Sequence, residues 1–251
     1  MGALPPHVLE EIRRARRHPS PTQFDYLHLR RLLDDLTAAF RRLDGPVEDV
    51  LDVYCGTRPY EELLPAGARC VGLDIDERYG AADIVSDEFL PFPDASFDLV
   101  MCTEAFHYVE EPKQGVAAIH RVLRPGGTVL IATPLVWEYD RTGFEHRYTG
   151  PALARLFEGW EDVRVVESGG RAVSWTLLTG LLVHSAEERL KARFPPLRFD
   201  QPLFATAYLV INGVGAILDA VERRFADSPL ALPMNLLLTA RRPSDERSAE
   251  R

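Results

Sequence analysis

The sequence predicts an α/β fold, a mostly parallel sheet with helices on both faces. Three observations carry this. Residues 47–63, VEDVLDVYCGTRPYEEL, place a short apolar run (Val50, Leu51, Val53) ahead of Cys55, Gly56 and Thr57, and then a stretch that suits a helix. Residues 71–76, VGLDID, form a second apolar run that ends on acids. From residue 47 onward, runs of strand length alternate with segments of helical spacing, the pattern of strands joined by covering helices. A strand that feeds a small-residue turn lets backbone approach a ligand, and a helix start offers free N–H groups. The pair of runs therefore points to a nucleoside-containing cofactor.

The totals narrow the class. A chain of 251 residues with 46% hydrophobic content suits one large domain with a full core. A net charge of −9 argues against a nucleic-acid partner. Cys55, Cys70 and Cys102 are odd in number and lack metal-ligand spacing, so they read as reduced thiols, with no metal and no disulfide framework. The N-terminal stretch MGALPPHVLEEIRRARR lacks the apolar centre of a signal peptide, so the expected location is cytoplasmic. Residues 202–218, PLFATAYLVINGVGAIL, are uncharged but shorter than the roughly 20 residues of a membrane span. They read first as a buried helix and only second as a membrane-surface element.

Taken in order, residues 5–17 predict a short helix bearing Arg13, Arg14, Arg16 and Arg17, a solvated basic face before an acidic-partner site. Thr22, with Asp25 three residues on, predicts the cap of a second helix. Its apolar stripe runs through Leu29, Leu32, Leu36 and Phe40, and Asp44-Gly45-Pro46 stops it. These helices, residues 1–46, are expected to pack on the sheet or roof the cofactor. The main domain, 47–243, is read as strands at 49–53, 70–73, 83–85, 97–102, 128–133, 163–167 and 235–240. Helices are expected from about residue 60, at 112–123 and at 151–157. Residues 171–193 and 202–225 read as helices with apolar faces, and 244–251 as a polar, disordered tail.

Four blocks in order, VLDVYCGTRPY, VGLDID, LPFPDASFDLVMCTEAFHYV and HRVLRPGGTVLIATP, resemble the class I S-adenosylmethionine-dependent methyltransferases of the type 11 group. The resemblance runs from about residue 47 to 170. It implies a Rossmann-like, doubly wound, seven-stranded sheet whose last strand is antiparallel, with residues 171–225 as a helical insertion between strands six and seven. It implies S-adenosylmethionine as cofactor. Gly56 would let backbone approach the methionine half, and Asp52 would accept from its ammonium or orient the turn. Asp74, with Ile75 beside it, would take the ribose hydroxyls. Asp87 would meet the adenine amino group, and Glu88 and Phe89 would flank the ring. Cys102 and Thr103, with Glu104, leave strand four where open α/β sheets bind ligands. The family usually has glycine where this chain has Tyr54, so the methionine pocket is either narrowed or bordered by an outward ring.

Methyl transfer depends on positioning, and an O–H or N–H acceptor needs a base. His107 and His146 are the expected catalytic bases, since histidine titrates near neutral pH. Tyr108, Trp137, Tyr139, Arg147 and Tyr148 are expected to line the acceptor pocket. The expected acceptor is a small molecule, lipid-like, sugar-like or a secondary metabolite. The insertion could equally serve as a lid or a homodimer face. A cofactor-fold protein that binds without transferring methyl is the alternative. A nicotinamide enzyme fits worse, because the GxGxxG fingerprint is absent.

Overall fold

The computed structural model describes residues 4–87, 89–139, 141, 143–193, 201–224 and 232–244. Seven strands form one sheet: β1 (Asp49–Val53), β2 (Arg69–Asp74), β3 (Ile84–Val85), β4 (Phe97–Thr103), β5 (Leu123–Pro134), β6 (Glu161–Ser168) and β7 (Asn235–Arg241). Their order is β3-β2-β1-β4-β5-β7-β6. The first five pair in parallel, and β7 runs antiparallel between β5 and β6. The antiparallel last strand implied by the resemblance is present.

Both faces of the sheet are covered. β1 is buried on each side, as central parallel strands are. Its Leu51 and Val53 join Val100, Val129, Ile131 and Leu238 on one face. That face meets α3 (Pro112–Val122) and α4 (Gly150–Arg155) through Val116, Ile119, Val122 and Leu153. Pro112 fits the first turn of α3, where a missing N–H costs no hydrogen bond. On the other face, Val50, Leu99, Met101 and Leu130 pack under Leu32, Leu36 and Phe40 of α2 (Tyr26–Phe40). The helix starts at Tyr26 with Asp25 as its N-cap, so the cap expected at Thr22 lies too early. Thr22 instead pairs with the Ser20 hydroxyl in the preceding turn.

The helix expected after β1 is absent. Only a single 3-10 turn, Glu61–Leu63, follows. Arg58 takes a left-handed φ of 52°, and Pro59 and Pro65 bracket the segment. Residues before proline are pushed out of the α region, which leaves room for one turn. Tyr60, Leu63 and Leu64 fill the apolar space beside α2 that such a helix would cover. No helix separates β2, β3 and β4 among the described residues either.

Two long helices, α5 (Arg171–Arg193) and α6 (Gln201–Arg224), lie between β6 and β7, where the insertion was expected. They run antiparallel: the Tyr208 hydroxyl meets Glu187, and Gly215 abuts Thr176. The reading of 202–218 as a buried helix does not hold. Only 28% of its most apolar window is buried. The seven residues after Ser244 lie outside the described residues.

Candidate functional site

A cleft of about 790 Å³ opens at the C-terminal tips of β1, β2 and β4. That volume falls in the range of ligand pockets, roughly 300–1,000 Å³, and the place is where open α/β sheets bind ligands. Its floor is the turn after β1. Tyr54, Gly56 and Arg58 all take left-handed φ values of 52–54°. Glycine does this freely, but a residue with Cβ pays about 1–2 kcal/mol, so the turn is held by its surroundings. Asp74 holds it from below. Its Oδ2 accepts the Gly56 N–H at 2.8 Å, and its Oδ1 accepts the Ile75 N–H at 2.8 Å. A Cβ at Gly56 would meet only the Tyr79 ring, at 3.9 Å, so the backbone there is open to a ligand.

Arg58 braces the same turn. Its guanidinium donates to Asp83 Oδ2 (2.7 Å), to the Cys70 carbonyl (2.7 Å) and to Glu61 (3.1 Å), tying the turn to β2 and the β2–β3 loop. Asp83 also accepts the Gly72 N–H at 2.8 Å. From above, α1 (Pro6–Arg17) latches on: Arg13 donates to the Thr57 carbonyl at 2.6 Å, and Arg17 pairs with Glu62. The basic face is therefore partly spent inside the molecule, and Ile12 and Arg16 roof the cleft.

Opposite the turn, the tip of β4 supplies Thr103, Glu104 and Ala105. Glu104 also carries a left-handed φ, 57°. Asn235 Nδ2 donates to its Oε1 at 2.6 Å. Its Oε2 stands 3.8 Å from His28 Nε2, beyond hydrogen-bond reach, and keeps lone pairs for another donor. Burial raises its pKa to about 7, against the lowering effect of Asn235. His28 is buried, which drops its pKa to about 3, so it stays neutral. His107 is 3% exposed, its Nδ1 has no partner, and burial with the nearby Arg147 lowers its pKa to about 4. Phe24, His28 and Trp137 form an aromatic wall, with Trp137 centred 5.2 Å from His28 and 6.4 Å from Phe24.

The cleft thus gathers Tyr54, Gly56, Asp74, Ile75, Thr103, His107, Tyr108 and Trp137 from the residues the sequence singled out. Others lie elsewhere. Asp52 is 1% exposed beneath the turn, its Oδ1 has no partner, and burial lifts its pKa to about 7. Cys102 points into the core of the α3 face. Asp87 is exposed and outside the cleft lining, so the expected grip by two acids on one cavity is not seen. Phe89 stands behind Tyr54, with ring centroids 5.9 Å apart, and packs on the core. Glu88 lies outside the described residues. His146 is not at the mouth: its N–H donates to the His107 carbonyl at 2.8 Å and its ring leans on Phe144. Tyr139 is 66% exposed, Arg147 pairs with Glu145, and Tyr148 is buried against Phe106. The sequence expected residues 1–46 to pack on the sheet or roof the cofactor but did not single out Ile12, Arg16, Phe24, Asp25 or His28 as site residues, because nothing local says which of their side chains reach the strand tips.

Residues 51–131, about a third of the chain, match the family described as methyltransferase domain. A probable S-adenosylmethionine-dependent methyltransferase of Mycolicibacterium smegmatis is 38% identical over 97 residues, covering 34% of this chain and 38% of that protein. A malonyl-(acyl-carrier protein) O-methyltransferase of Methylococcus capsulatus is 35% identical over 116 residues, covering 40% of this chain and 42% of that protein. The chain thus spans about two fifths of the length of the curated relatives it matches. Among solved structures, the (4+2)-cyclase SpnF superposes with a TM-score of 0.53 at 20% identity, over 88% of this chain and 83% of that one, a likeness of fold. Over residues 51–131 the methyltransferase-domain match and the sheet order agree.

Proposed function

We propose that the chain binds S-adenosylmethionine in the strand-tip cleft and transfers its methyl group to an O, N or C atom of a small molecule with an apolar part. One observation carries this reading: Asp74 under the open Gly56 turn and Glu104 at the tip of β4 line the same cavity. Asp74 keeps unused lone pairs for ribose hydroxyls, and Gly56 and Thr57 offer backbone to the methionine half. The orphaned Asp52 carboxylate lies beneath, where a positive charge above would favour its ionised form. Bound there, the cofactor supplies an electrophilic methyl group on a sulfonium. Glu104 takes the acceptor's proton, with Asn235 holding one oxygen so that the other faces the cleft. His107, neutral and with a free Nδ1, is the second group able to accept a proton. Phe24, His28 and Trp137 hold the acceptor's apolar part.

The test is a methyl-transfer assay with labelled cofactor against aromatic hydroxy, amine and acyl acceptors, together with a cofactor titration. Tight cofactor binding with turnover on at least one class supports the proposal. Absence of binding refutes it. A second reading, binding without transfer, draws on Tyr54, whose ring lines the cleft and screens Phe89 from it. It predicts that replacing this ring by glycine strengthens cofactor binding while no acceptor is methylated.

A further inference from the structure

We infer that the outward face of the α5–α6 hairpin is a docking surface for an anionic lipid bilayer. α6 is built inside out. Its inward side carries polar groups: Tyr208, Asn212 and Asp219 are all buried. Asn212 donates to the carbonyls of Pro21 and Gln23, at 2.8 Å each, and Asp219 pairs with Arg31 and Arg223. The outward side is apolar. Leu203, Val210 and Ile217 are 66%, 59% and 67% exposed, and no charge occurs from Pro202 to Leu218. α5 adds Trp175, Leu178 and Leu182 at spacings of three and four, with Leu182 73% exposed. A soluble surface rarely leaves so continuous an apolar face uncovered.

Charge selects the occupant. The two helices carry six arginines and lysines against four acids, in a chain of net charge −9. The cations gather toward both ends, Arg189, Lys191 and Arg193 near the end of α5 and Arg223 and Arg224 at the end of α6. Lys191 is paired to Glu187 and Glu188 and Arg223 to Asp219, so the hairpin keeps a net excess of two positive charges. Because the helices are antiparallel, these clusters sit at opposite ends of the apolar face. Anionic headgroups around an apolar centre would satisfy both features, the signature of a helix lying in the bilayer interface. α6 does not cross the bilayer, because a span would strand Asn212 and Asp219 away from Gln23 and Arg31.

The same hairpin touches the cleft. The Phe24 ring, which lines the cavity, stacks on His184 of α5 at 4.4 Å and 12°, and the Phe24 carbonyl lies against Gly180. Docking would bring the aromatic wall next to the bilayer, where an acceptor with an apolar tail is concentrated. The docking claim itself does not depend on methyl transfer.

The test is flotation of the full chain with vesicles of phosphatidylcholine, with and without phosphatidylglycerol, read together with tryptophan fluorescence. The expected result is partition to the anionic vesicles, weakened by salt, with a blue shift that Trp175→Phe removes. The double variant Val210→Asp/Ile217→Asp should partition at least about tenfold more weakly, since its carboxylates would enter the apolar boundary. Both positions are exposed, so its melting and its S-adenosylhomocysteine affinity should match the parent chain. Absence of partition, or equal partition of the double variant, overturns the inference. So does a solution dimer, seen by light scattering, that the same variant dissolves.

Discussion

Asp74→Asn is the sharpest single perturbation of the site. The carboxylate accepts the Gly56 and Ile75 N–H groups, one on each oxygen. An asparagine keeps one acceptor and turns an NH₂ toward the other N–H, so one hydrogen bond is lost and two donors face each other. A hydrogen bond to a charged group is worth about 1.5–3 kcal/mol, and the loss falls on the turn that offers its backbone to the cofactor. The carboxylate's free lone pairs toward the ribose weaken in the same step. The expected outcome is a drop of about ten- to a hundredfold in S-adenosylhomocysteine affinity, at 1.4 kcal/mol per factor of ten. Calorimetric titration of both proteins reads it, with circular dichroism melting as the check on folding. An unchanged dissociation constant in a folded variant would refute the role given to this strand tip.

Three further outcomes follow from the geometry. Tyr54→Gly relieves a left-handed φ of 54° but removes the ring packed on Phe89. Gains and losses of about 1–2 kcal/mol each nearly cancel, so stability should change little by thermal melting. Cofactor affinity should stay within about tenfold; a larger gain would favour the non-transferring reading. Glu104 has a pKa raised from 4.5 to about 7, so the folded state prefers it protonated. Its contribution to stability is therefore full below about pH 4.5 and is lost as pH rises through 7, while its power as a base grows over that upper range. Glu104→Gln should flatten the acidic limb of the rate profile near pH 7. It should also raise the melting temperature at pH 8, by an amount equivalent to about 1–3 kcal/mol given a side chain still 19% exposed to the cleft. A rate profile that keeps its limb in this variant assigns the base elsewhere. Gly180→Ala would set a Cβ 2.5 Å from the Phe24 carbonyl. It should shift the 20–25 segment and raise the acceptor KM while leaving cofactor affinity near the parent value, measured by initial rates and titration.

The sequence carried the sheet well and the roof poorly. Strands β1, β2, β4 and β5 were legible because Val50, Leu51, Leu99, Val100, Val129 and Ile131 are local apolar runs buried on both faces. The helix after β1 was misread because Glu61–Leu64 suits a helix, whereas Pro59, Pro65 and the left-handed Arg58 override it. Asp74 and Gly56 were found by spacing, but their direct hydrogen bond was not, since it depends on how β2 pairs with β1. Asp87 and His146 missed the cleft because sequence order gives the neighbourhood of a loop and not the direction in which it turns. His28 and Phe24 were invisible as site residues: in sequence they belong to an amphipathic helix and its approach, and only α2 packing on the sheet brings them to the strand tips. The apolar stretch of α6 misled through composition. Its polar residues, Asn212 and Asp219, face inward and are satisfied there, which inverts the usual reading of an apolar run as core.

The most direct measurement of the central claim is equilibrium dialysis of the full chain against radiolabelled S-adenosylmethionine, with unlabelled S-adenosylhomocysteine and NADH as competitors. A strand-tip cleft built as described predicts saturation at one equivalent per chain, displacement by S-adenosylhomocysteine and indifference to NADH. No retained label, or label displaced by NADH, would contradict it.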